Sequence, residues 1–434
     1  MQFQNISEVT NYLYNKLPYF SRDGKAAYKT DIGNITALCS ALGNPHTKFK
    51  TIHIAGTNGK GSTSHLLAAI LQSTNCFKVG LYTSPHLLRF TERIKINGCE
   101  IPENYVINFL SNNYSLIEKI NPSFFEVTVA LAFSWFADQK VAIAVIEVGL
   151  GGRLDSTNII TPLLSIITNI SWDHQDLLGN TLAQIAFEKA GIIKPHVPCV
   201  IGENQPESMP VFEKVAYEVM APLVDAQSIG EVIYCDPDWI WKPINQAEVR
   251  FSASLKGYYQ RYNFRTVLAA VKTLQNIGFT IPNFAIWDGM ANVNTLTGLR
   301  GRWDQIYTNP TVIIDVGHNK AGILEIIAQM NHLTAVKNWH IVWGMVGDKE
   351  VLPVLEQLPK NAAYYWCAAQ SHRSLPVSKL VEITGRLNLS GKGFQSVAEA
   401  LQVAMQQSLP NDVVLVTGST FVVSEALTFI EAQK

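Results

Sequence analysis

The residues best suited to chemistry lie in a glycine-rich loop near the start of the sequence. Residues 54–63 read IAGTNGKGST and follow an apolar, strand-like run. Glycines let backbone N–H groups turn towards phosphate oxygens, and the N-terminus of a following helix adds partial positive charge. Lys60 could reach the terminal phosphates of a nucleotide, and the Ser62 hydroxyl could approach Mg²⁺. The segment therefore predicts a phosphate-binding loop, although it is shorter than the usual GxxxxGK[ST] pattern. The alternative is a glycine-rich turn with a solvated lysine.

Polar side chains also follow three other strand-like runs. Glu147 ends an apolar run, Ser84 follows residues 78–82, and His174 follows residues 163–168. Because the carboxyl ends of parallel strands meet at one edge of a sheet, we expect these side chains to converge there. A strand-end acid beside a phosphate loop is a natural magnesium ligand. Each residue also has a structural alternative: Glu147 could cap the glycine turn that follows it, and a single histidine is more often structural.

Other candidates are less specific. Lys189 closes a helix-like segment, where a lysine usually faces solvent. Arg302 is suited to phosphate charge. Asp315 and His318 belong to the segment DVGHN at a strand end. Ligand binding and an ordinary Asx turn are equally compatible with that segment.

The elements that must position these residues alternate along the chain. Strand-like runs at 50–55, 78–82, 141–148 and 163–168 are separated by helix-like segments at 60–74, 102–119, 124–137 and 182–190. This alternation predicts βαβ units in a parallel sheet covered on both faces. The pattern restarts near residue 297, with strand-like runs at 312–315, 340–343, 364–367 and 413–417. We therefore predict an α/β protein of two domains, an N-terminal P-loop parallel-sheet nucleotide-binding domain (1–297), which the resemblance given below makes ATP-binding, and a smaller C-terminal Rossmann-like α/β domain (298–434).

The composition excludes several classes of protein. The 434 residues include 34 Lys+Arg and 35 Asp+Glu, with 47% hydrophobic and 16% charged residues, which excludes a disordered chain. The net charge of −1 argues against a nucleic-acid partner. The sequence shows neither a signal peptide nor an apolar run long enough to span a membrane, and no CxxC pair. We expect a cytoplasmic protein without membrane or nucleic-acid partners.

Five motifs, taken together, resemble those of a known family. GTNGKGST, TSPHLLRFTERIKING, IEVGLGGRLDSTN, SWDHQDLLGNTLAQIAFEKAGI and DVGHN occur in this order and cover nearly the whole chain. They closely resemble the folylpolyglutamate synthase/dihydrofolate synthase family, whose members are Mur-ligase-like ATP-dependent amide-bond ligases, and look most like its bacterial bifunctional type. The resemblance implies that L-glutamate is added to dihydropteroate and further glutamates to tetrahydrofolates. The implied route is an acyl phosphate, with release of ADP and phosphate.

The resemblance also implies roles for individual residues. ATP would be bound by Asn58, Gly59, Lys60, Gly61, Asn263, Arg302 and Asp315, the last two reaching across from the second domain. Two Mg²⁺ ions would be held by Ser84, Glu147 and His174, with Ser62 added from the loop. Lys189 matches a carbamylated lysine whose added carboxylate helps hold a metal, and a monovalent cation such as K⁺ is a further candidate. The pterin substrate would be held by Asp31, Ile32, Gly33, Asn34, Ser123, Phe124, Phe125, Glu126, Leu154, Asp155 and Ser156. His318 would lie near the phosphate and the incoming glutamate and, with Lys60 and Lys189, would be catalytic.

Two positions depart from the family pattern, and alternatives remain. Lys320 replaces the proline of the family's HNP segment, and Asn34 stands where bifunctional relatives have an apolar residue. The protein could have the folylpolyglutamate synthase activity alone. A cell-wall Mur ligase would need an extra UDP-binding domain, for which the residues before Gly56 are too few. A nucleotide-binding module without turnover should lack magnesium ligands. We expect small-molecule partners and a monomer.

Overall fold

The chain forms two compact units. The computed structural model describes residues 1–19, 22, 31–347 and 351–433. The first unit comprises Met1–Ser254 and Gln260–Leu299, and the second comprises Leu255–Tyr259 and Arg300–Lys434. Each unit has its own sheet with helices around it, which confirms the two-domain α/β fold. Over the described ranges, no helix has the length and hydropathy required to cross a membrane.

The main sheet of the first unit has a parallel centre and an antiparallel edge. Its strands are β1 (Lys50–Ala55), β2 (Val79–Tyr82), β3 (Ile94–Ile96), β4 (Cys99–Glu100), β5 (Ile143–Glu147), β6 (Leu164–Ile167), β7 (Cys199–Ile201) and β8 (Leu223–Asp225). They pair in the order β4-β3-β2-β5-β1-β6-β7-β8. The six strands β2, β5, β1, β6, β7 and β8 are parallel, whereas β3 is antiparallel to β2 and β4 is antiparallel to β3. The Val- and Ile-rich runs are buried on both faces, as central parallel strands require. The four strands predicted for this region are confirmed.

Helices cover both faces of this sheet. The α-helices of the first unit are Ile6–Asn15, Gly33–Ala41, Lys60–Ser73, Glu103–Ile120, Phe124–Asp138, Gln175–Leu178, Leu182–Ala190, Met209–Glu218, Gln260–Asn276, Asn283–Ala291 and Val293–Thr297. The helix Lys60–Ser73, which follows β1, is buried along nearly its whole length. Gly289 allows the helix Asn283–Ala291 to approach it, since a Cβ on Gly289 would lie 2.6 Å from the Ile70 backbone. The helix that begins at the phosphate loop is therefore a core element of the unit.

A small antiparallel sheet follows the main one and was not expected from the sequence. It consists of β9 (Gly230–Cys235), β10 (Asp238–Pro243) and β11 (Val249–Phe251), in the order β11-β10-β9. Trp239 is completely buried in it, 5.0 Å from the ring of Phe264 on the helix Gln260–Asn276. The sheet therefore supports the helix that carries Asn263.

The second unit has a six-stranded sheet. Its strands are β12 (Asp304–Thr308), β13 (Thr311–Ile314), β14 (Trp339–Trp343), β15 (Ala363–Trp366), β16 (Gly391–Gly393) and β17 (Val413–Thr417). They pair in the order β12-β13-β17-β14-β15-β16, and β12 alone is antiparallel to its neighbour. The helices are Lys320–His332, Leu352–Leu355, Val377–Arg386, Val397–Gln407 and Thr420–Glu431. The strands predicted at 312–315, 340–343, 364–367 and 413–417 are confirmed.

Candidate active site

The glycine-rich loop joins β1 to the helix Lys60–Ser73, as predicted. Gly56 and Gly59 have φ angles of +144° and +86°, in the region that favours glycine. A Cβ on Gly56 would lie 1.8 Å from the Thr168 hydroxyl, and one on Gly59 would lie 2.2 Å from Oδ1 of Asn263. The loop therefore needs glycine at both positions for conformation and for close approach. It also places Asn263, a predicted ATP contact, directly against Gly59.

The segment after β6 holds the loop in shape. Asn169 accepts the Thr57 N–H on its backbone carbonyl and the Asn58 N–H on its side-chain Oδ1, both at 2.9 Å. The Thr168 hydroxyl donates to the Asn58 carbonyl at 2.6 Å, and the Ser171 N–H donates to the Thr57 hydroxyl at 3.0 Å. Neither Thr168 nor Asn169 was predicted as a site residue, because their role depends on contacts more than 100 residues away in sequence. These four hydrogen bonds fix the conformation of the loop backbone.

Two lysines share one carbonyl of the loop. The Lys60 ammonium donates to the carbonyls of Gly56 and Thr57 at 3.0 and 3.1 Å, and Lys189 Nζ donates to the Gly56 carbonyl at 2.9 Å. Lys189 is 4% exposed, so the alternative of a solvent-facing lysine is wrong. Burial lowers the pKa of Lys189 to about 7, with a further contribution from the Lys60 charge and an opposing one from Asp173. A large fraction of Lys189 is therefore a neutral amine near pH 7.

Two of the proposed metal ligands, Ser84 and Glu147, are in direct contact. Glu147, the last residue of β5, is 4% exposed and accepts the Ser84 N–H on Oε2 at 3.0 Å. Ser62 is buried in the first turn of the helix after the loop, with Nε2 of Gln260 3.4 Å from its hydroxyl. His174 has a left-handed backbone, with φ +49°. Within the described ranges no group of three or more His, Cys, Asp or Glu could hold a metal. Of the four predicted metal ligands, two are a carboxylate and a histidine, Glu147 and His174, and the other two are serine hydroxyls. A buried carboxylate with hydroxyl oxygens is nevertheless a donor set that Mg²⁺ or Mn²⁺ accepts.

The segment 123–126 begins a buried helix. Ser123 and Glu126 form a capping box, in which Glu126 Oε2 accepts the Ser123 N–H at 2.7 Å and the Glu126 N–H donates to the Ser123 hydroxyl at 3.3 Å. Phe124 packs between the ring of Tyr19, 4.4 Å away, and the guanidinium of Arg93, 5.2 Å away. Two of the four predicted pterin contacts thus have a structural role, and Phe124 is buried in an aromatic cluster of the core.

Asp155 organises the turn that follows β5. Its Oδ2 accepts the N–H groups of Gly149 and Leu150 at 3.0 and 2.9 Å, and its Oδ1 accepts the N–H of Thr157 at 3.0 Å. The Thr157 hydroxyl donates to the same Oδ1 at 2.5 Å. Burial raises the pKa of Asp155, and these four donors oppose that shift. Asp155 therefore fixes the backbone between Glu147 and the predicted pterin segment Leu154, Asp155 and Ser156.

The remaining pterin candidates begin another helix. Oδ1 of Asp31 accepts the Gly33 N–H at 2.7 Å, which makes an Asx turn, and Ile32 is the N-cap residue of the helix Gly33–Ala41. Asn34 is half-buried, and its Nδ2 lies 3.4 Å from the carbonyl of Asn121. Asn121 is two residues from Ser123, so the two predicted pterin segments are neighbours in the first unit.

In the second unit, Asp315 accepts three hydrogen bonds. Its Oδ2 accepts the Tyr259 hydroxyl at 2.5 Å and the Trp303 N–H at 2.8 Å, and its Oδ1 accepts the Gly317 N–H at 2.8 Å. Burial raises the pKa of Asp315, while the Tyr259 hydrogen bond and the Arg302 charge oppose the shift. The Asx turn is therefore present, and the ATP contact of Asp315 stays a prediction. The sequence did not indicate that Tyr259 would be a partner of Asp315.

The end of the DVGHN segment starts a helix. His318 donates from Nδ1 to the Val316 carbonyl at 2.9 Å, the tautomer being assigned from that acceptor. Asn319 caps the helix Lys320–His332 by accepting the Gly322 N–H at 2.8 Å. Lys320 thus occupies the first helical position, where proline is common because its missing N–H has no partner in the helix. Replacing the family proline by lysine is compatible with this geometry.

Comparisons with known proteins show the family of this chain. Residues 54–271 match the family described as Mur ligase middle domain, and residues 301–420 match Mur ligase, glutamate ligase domain. The chain is 31% identical over 417 residues to the dihydrofolate synthase/folylpolyglutamate synthase of Bacillus subtilis, covering 92% of this chain and 95% of the relative. Escherichia coli FolC in complex with DHPP and ADP has a TM-score of 0.88 and 30% identity, covering 100% of this chain and 99% of that one. The bifunctional enzyme of Yersinia pestis, complexed with AMPPNP and Mn ion, has a TM-score of 0.85 and 27% identity over 99% of each chain.

These matches extend over both compact units and include the loop, the strand-end acid and the DVGHN segment. The two Mur ligase domains occur in the same order as the units of the structure. The chain belongs to the dihydrofolate synthase/folylpolyglutamate synthase family of Mur-ligase-like, ATP-dependent ligases.

Proposed function

We propose that this protein joins L-glutamate to dihydropteroate, giving dihydrofolate, and adds further glutamates to tetrahydrofolates at the expense of ATP. One arrangement carries the proposal. The phosphate loop, with Lys60 and Lys189 on its Gly56 carbonyl, follows β1, and the strand-end acid Glu147 lies opposite Ile54 on the neighbouring strand. Glu147 is thus paired with a residue only two positions before Gly56, the first glycine of the loop. Phosphoryl transfer needs groups that hold the phosphates and a carboxylate that can hold the metal ion beside them.

The chemistry follows from the poor reactivity of a carboxylate. A substrate carboxylate oxygen attacks the γ-phosphorus of ATP, the bond to the ADP oxygen breaks, and an acyl phosphate forms. The glutamate amine then attacks the acyl carbon, loses a proton and expels phosphate, which leaves an amide. Lys60 is placed to stabilise the charge on the transferred phosphoryl group, and the backbone N–H groups of the loop orient it.

The residues around Glu147 are suited to a divalent cation. Ser84, Glu147 and His174, with Ser62 from the loop, would hold one or two Mg²⁺ ions. When bound, Mg²⁺ neutralises phosphate charge. Glu147 supplies the formal negative charge in this set, and its bond to the Ser84 N–H fixes the orientation of the carboxylate.

Lys189 would act as a carbamate. Its amine nitrogen would bond to the carbon of CO₂ and release a proton, which places a carboxylate beside the loop. Burial supports this reaction because it makes the neutral, nucleophilic amine available near pH 7. A monovalent cation such as K⁺ is a further candidate cofactor.

The other assignments follow the family resemblance. Asn58, Gly59, Gly61 and Asn263 in the first unit, and Arg302 and Asp315 in the second, would contact ATP. His318 would act near the glutamate. The predicted division at residue 297 would separate ATP and pterin binding from glutamate binding. We also propose a monomer that acts on small molecules in the cytoplasm, without membrane or nucleic-acid partners.

Phosphate release tests the proposal. The purified protein is incubated with ATP, Mg²⁺ and glutamate, with dihydropteroate or tetrahydrofolate as acceptor in parallel. Release that requires both glutamate and an acceptor supports the ligase, and its absence with both acceptors refutes it. Activity with tetrahydrofolate alone would leave the folylpolyglutamate synthase activity and remove the dihydrofolate synthase activity.

A further inference from the structure

A buried histidine on the central strand is connected to the turn after Glu147. His53 lies in β1 and is completely buried, and its Nε2 is 2.8 Å from the hydroxyl of Thr157. That hydroxyl is in turn 2.5 Å from Oδ1 of Asp155. Asp155 accepts the N–H groups of Gly149 and Leu150. The mechanism above uses neither His53 nor Thr157.

The hydrogen bonds that link His53, Thr157 and Asp155 have one consistent donor-to-acceptor direction. A hydroxyl has a single proton, and the Asp155 carboxylate, which accepts four hydrogen bonds, takes it from Thr157. Thr157 must therefore accept from His53, which places the imidazole proton on Nε2. Burial and the nearby Lys194 charge lower the pKa of His53 to about 3, so the ring stays neutral and keeps this tautomer. Nδ1 of His53 has no hydrogen-bond partner among the described residues.

We propose that His53 and Thr157 are positioning residues for the pterin substrate: they orient the Asp155 carboxylate, which holds the Gly149–Leu150 turn against Phe125. This inference rests on the proposed function, because the pterin contacts of Phe125 and Asp155 are part of it. The Thr157 hydroxyl is buried, so its donor is not replaced by water when the side chain is changed. Without that donor, Asp155 loses one of its four partners, and the turn loses its fixed position.

Substitutions at Thr157 separate positioning from general stability. Thr157→Val removes the hydroxyl with little change in shape, whereas Thr157→Ser keeps it. We expect Thr157→Val to raise KM for dihydropteroate about tenfold, a typical value for one hydrogen bond to a charged group, without changing the Kd for ADP. Thr157→Ser should restore most of the wild-type KM. Thr273→Val is the matched control, because it removes a buried hydroxyl that donates to the Ala269 carbonyl in the same unit.

Two variants test His53 in the same way. His53→Gln places an amide donor near the former Nε2, and His53→Leu has no donor. His53→Leu should raise KM for dihydropteroate, and His53→Gln should raise it less. Equal KM values for both variants and for the wild type would refute the role of His53.

Amide hydrogen exchange gives a readout that does not depend on activity. Exchange at Gly149 and Leu150, followed by mass spectrometry of peptides from this segment, should be faster in Thr157→Val and His53→Leu than in the wild type or Thr273→Val. If the wild type lacks pterin-dependent turnover but exchange changes as expected, the proposed function fails and the hydrogen-bonded chain is supported. If the wild type is active and Thr157→Val changes neither KM nor exchange, the positioning role is refuted.

Discussion

Gly149 is the position where a single added methyl group tests the predicted pterin site. It follows β5 and lies against the ring of Phe125, one of the predicted pterin contacts. A Cβ on Gly149 would lie 2.4 Å from Cζ of Phe125 and 2.8 Å from Cε2. Its φ is not in the left-handed region, so alanine is excluded by the ring and not by the backbone. Gly149→Ala should therefore displace Phe125 specifically.

The expected rise in KM follows from the overlap between the new Cβ and the Phe125 ring. Carbon atoms in contact are normally about 3.5–4.0 Å apart, so the ring must move by roughly 1 Å or more. Overpacking of this kind costs about 1–3 kcal/mol. If Phe125 must return to its place when the pterin binds, that cost appears in KM. At about 1.4 kcal/mol per factor of ten, KM for dihydropteroate should rise roughly 5- to 150-fold, with little change in the Kd for ADP.

A double-mutant cycle checks the cause. Phe125→Leu removes Cζ and both Cε atoms, which the added methyl group would overlap. Gly149→Ala should therefore raise KM much less in the Phe125→Leu background. Steady-state kinetics gives KM for all four proteins, and calorimetry gives the Kd for ADP. Gly80→Ala is the control: its Cβ would lie 3.1 Å from Ala144 and 3.2 Å from Phe136, so it should cost stability without changing KM. The same fold-change from Gly149→Ala in both backgrounds would refute the reasoning.

The remaining predictions concern the two lysines and Asp315. Lys60→Met should lower kcat by roughly 10²–10³ in the phosphate-release assay while the protein stays folded, because it removes the cation at the loop; a loss below tenfold would contradict that role. Activation of the wild type by bicarbonate should increase as the pH rises through about 7, since the Lys189 amine reacts with CO₂ only when neutral. Lys189→Ala should be inactive and partly restored by a short carboxylate such as acetate, and activation that is independent of pH would argue against the carbamate. Asp315→Asn should lower the free energy of unfolding by about 1–3 kcal/mol in urea, because three donors converge on this carboxylate. Tyr259→Phe removes one of these donors and should cost less, so equal stability of both variants and the wild type would show that the cluster contributes nothing.

The sequence predicted the parallel strands well because their pattern has few other interpretations. Residues 413–417 and 182–190 form a strand and a helix with the predicted bounds. The β9–β11 sheet was missed because its strands are not apolar runs. In β10, the buried Trp239 and Trp241 alternate with more exposed residues, and this period of two is the signal that could have revealed it. In a sequence, half-buried antiparallel strands are identified by alternating apolar and polar residues, and not by continuous apolar runs alone.

The candidate site could be predicted only where residue type and strand ends carried the information. Glu147 and the loop glycines occupy the predicted strand end and the predicted loop, because residue type and local structure coincide at those positions, and their roles stay predictions. The burial of Lys189 was not predictable, because a lysine at a helix C-terminus normally faces solvent, and its contact with the Gly56 carbonyl spans 133 residues of sequence. Asn169 and Tyr259 were missed for the same reason. Their side chains support site residues across the fold, and nothing in their local sequence marks them.

The overall charge of −1 conceals a concentrated positive charge at the loop. Two ammonium groups on one carbonyl repel each other, and burial adds a cost that falls on Lys189 because it is the more buried of the two. The conflict is relieved if Lys189 loses its proton, and relieved further if the neutral amine becomes a carbamate, since a carboxylate attracts the remaining cation. In either case Lys60 is left as the cation of the loop. The placement of Lys189 is therefore unfavourable for a charged lysine, and the proposed carbamate would relieve that conflict.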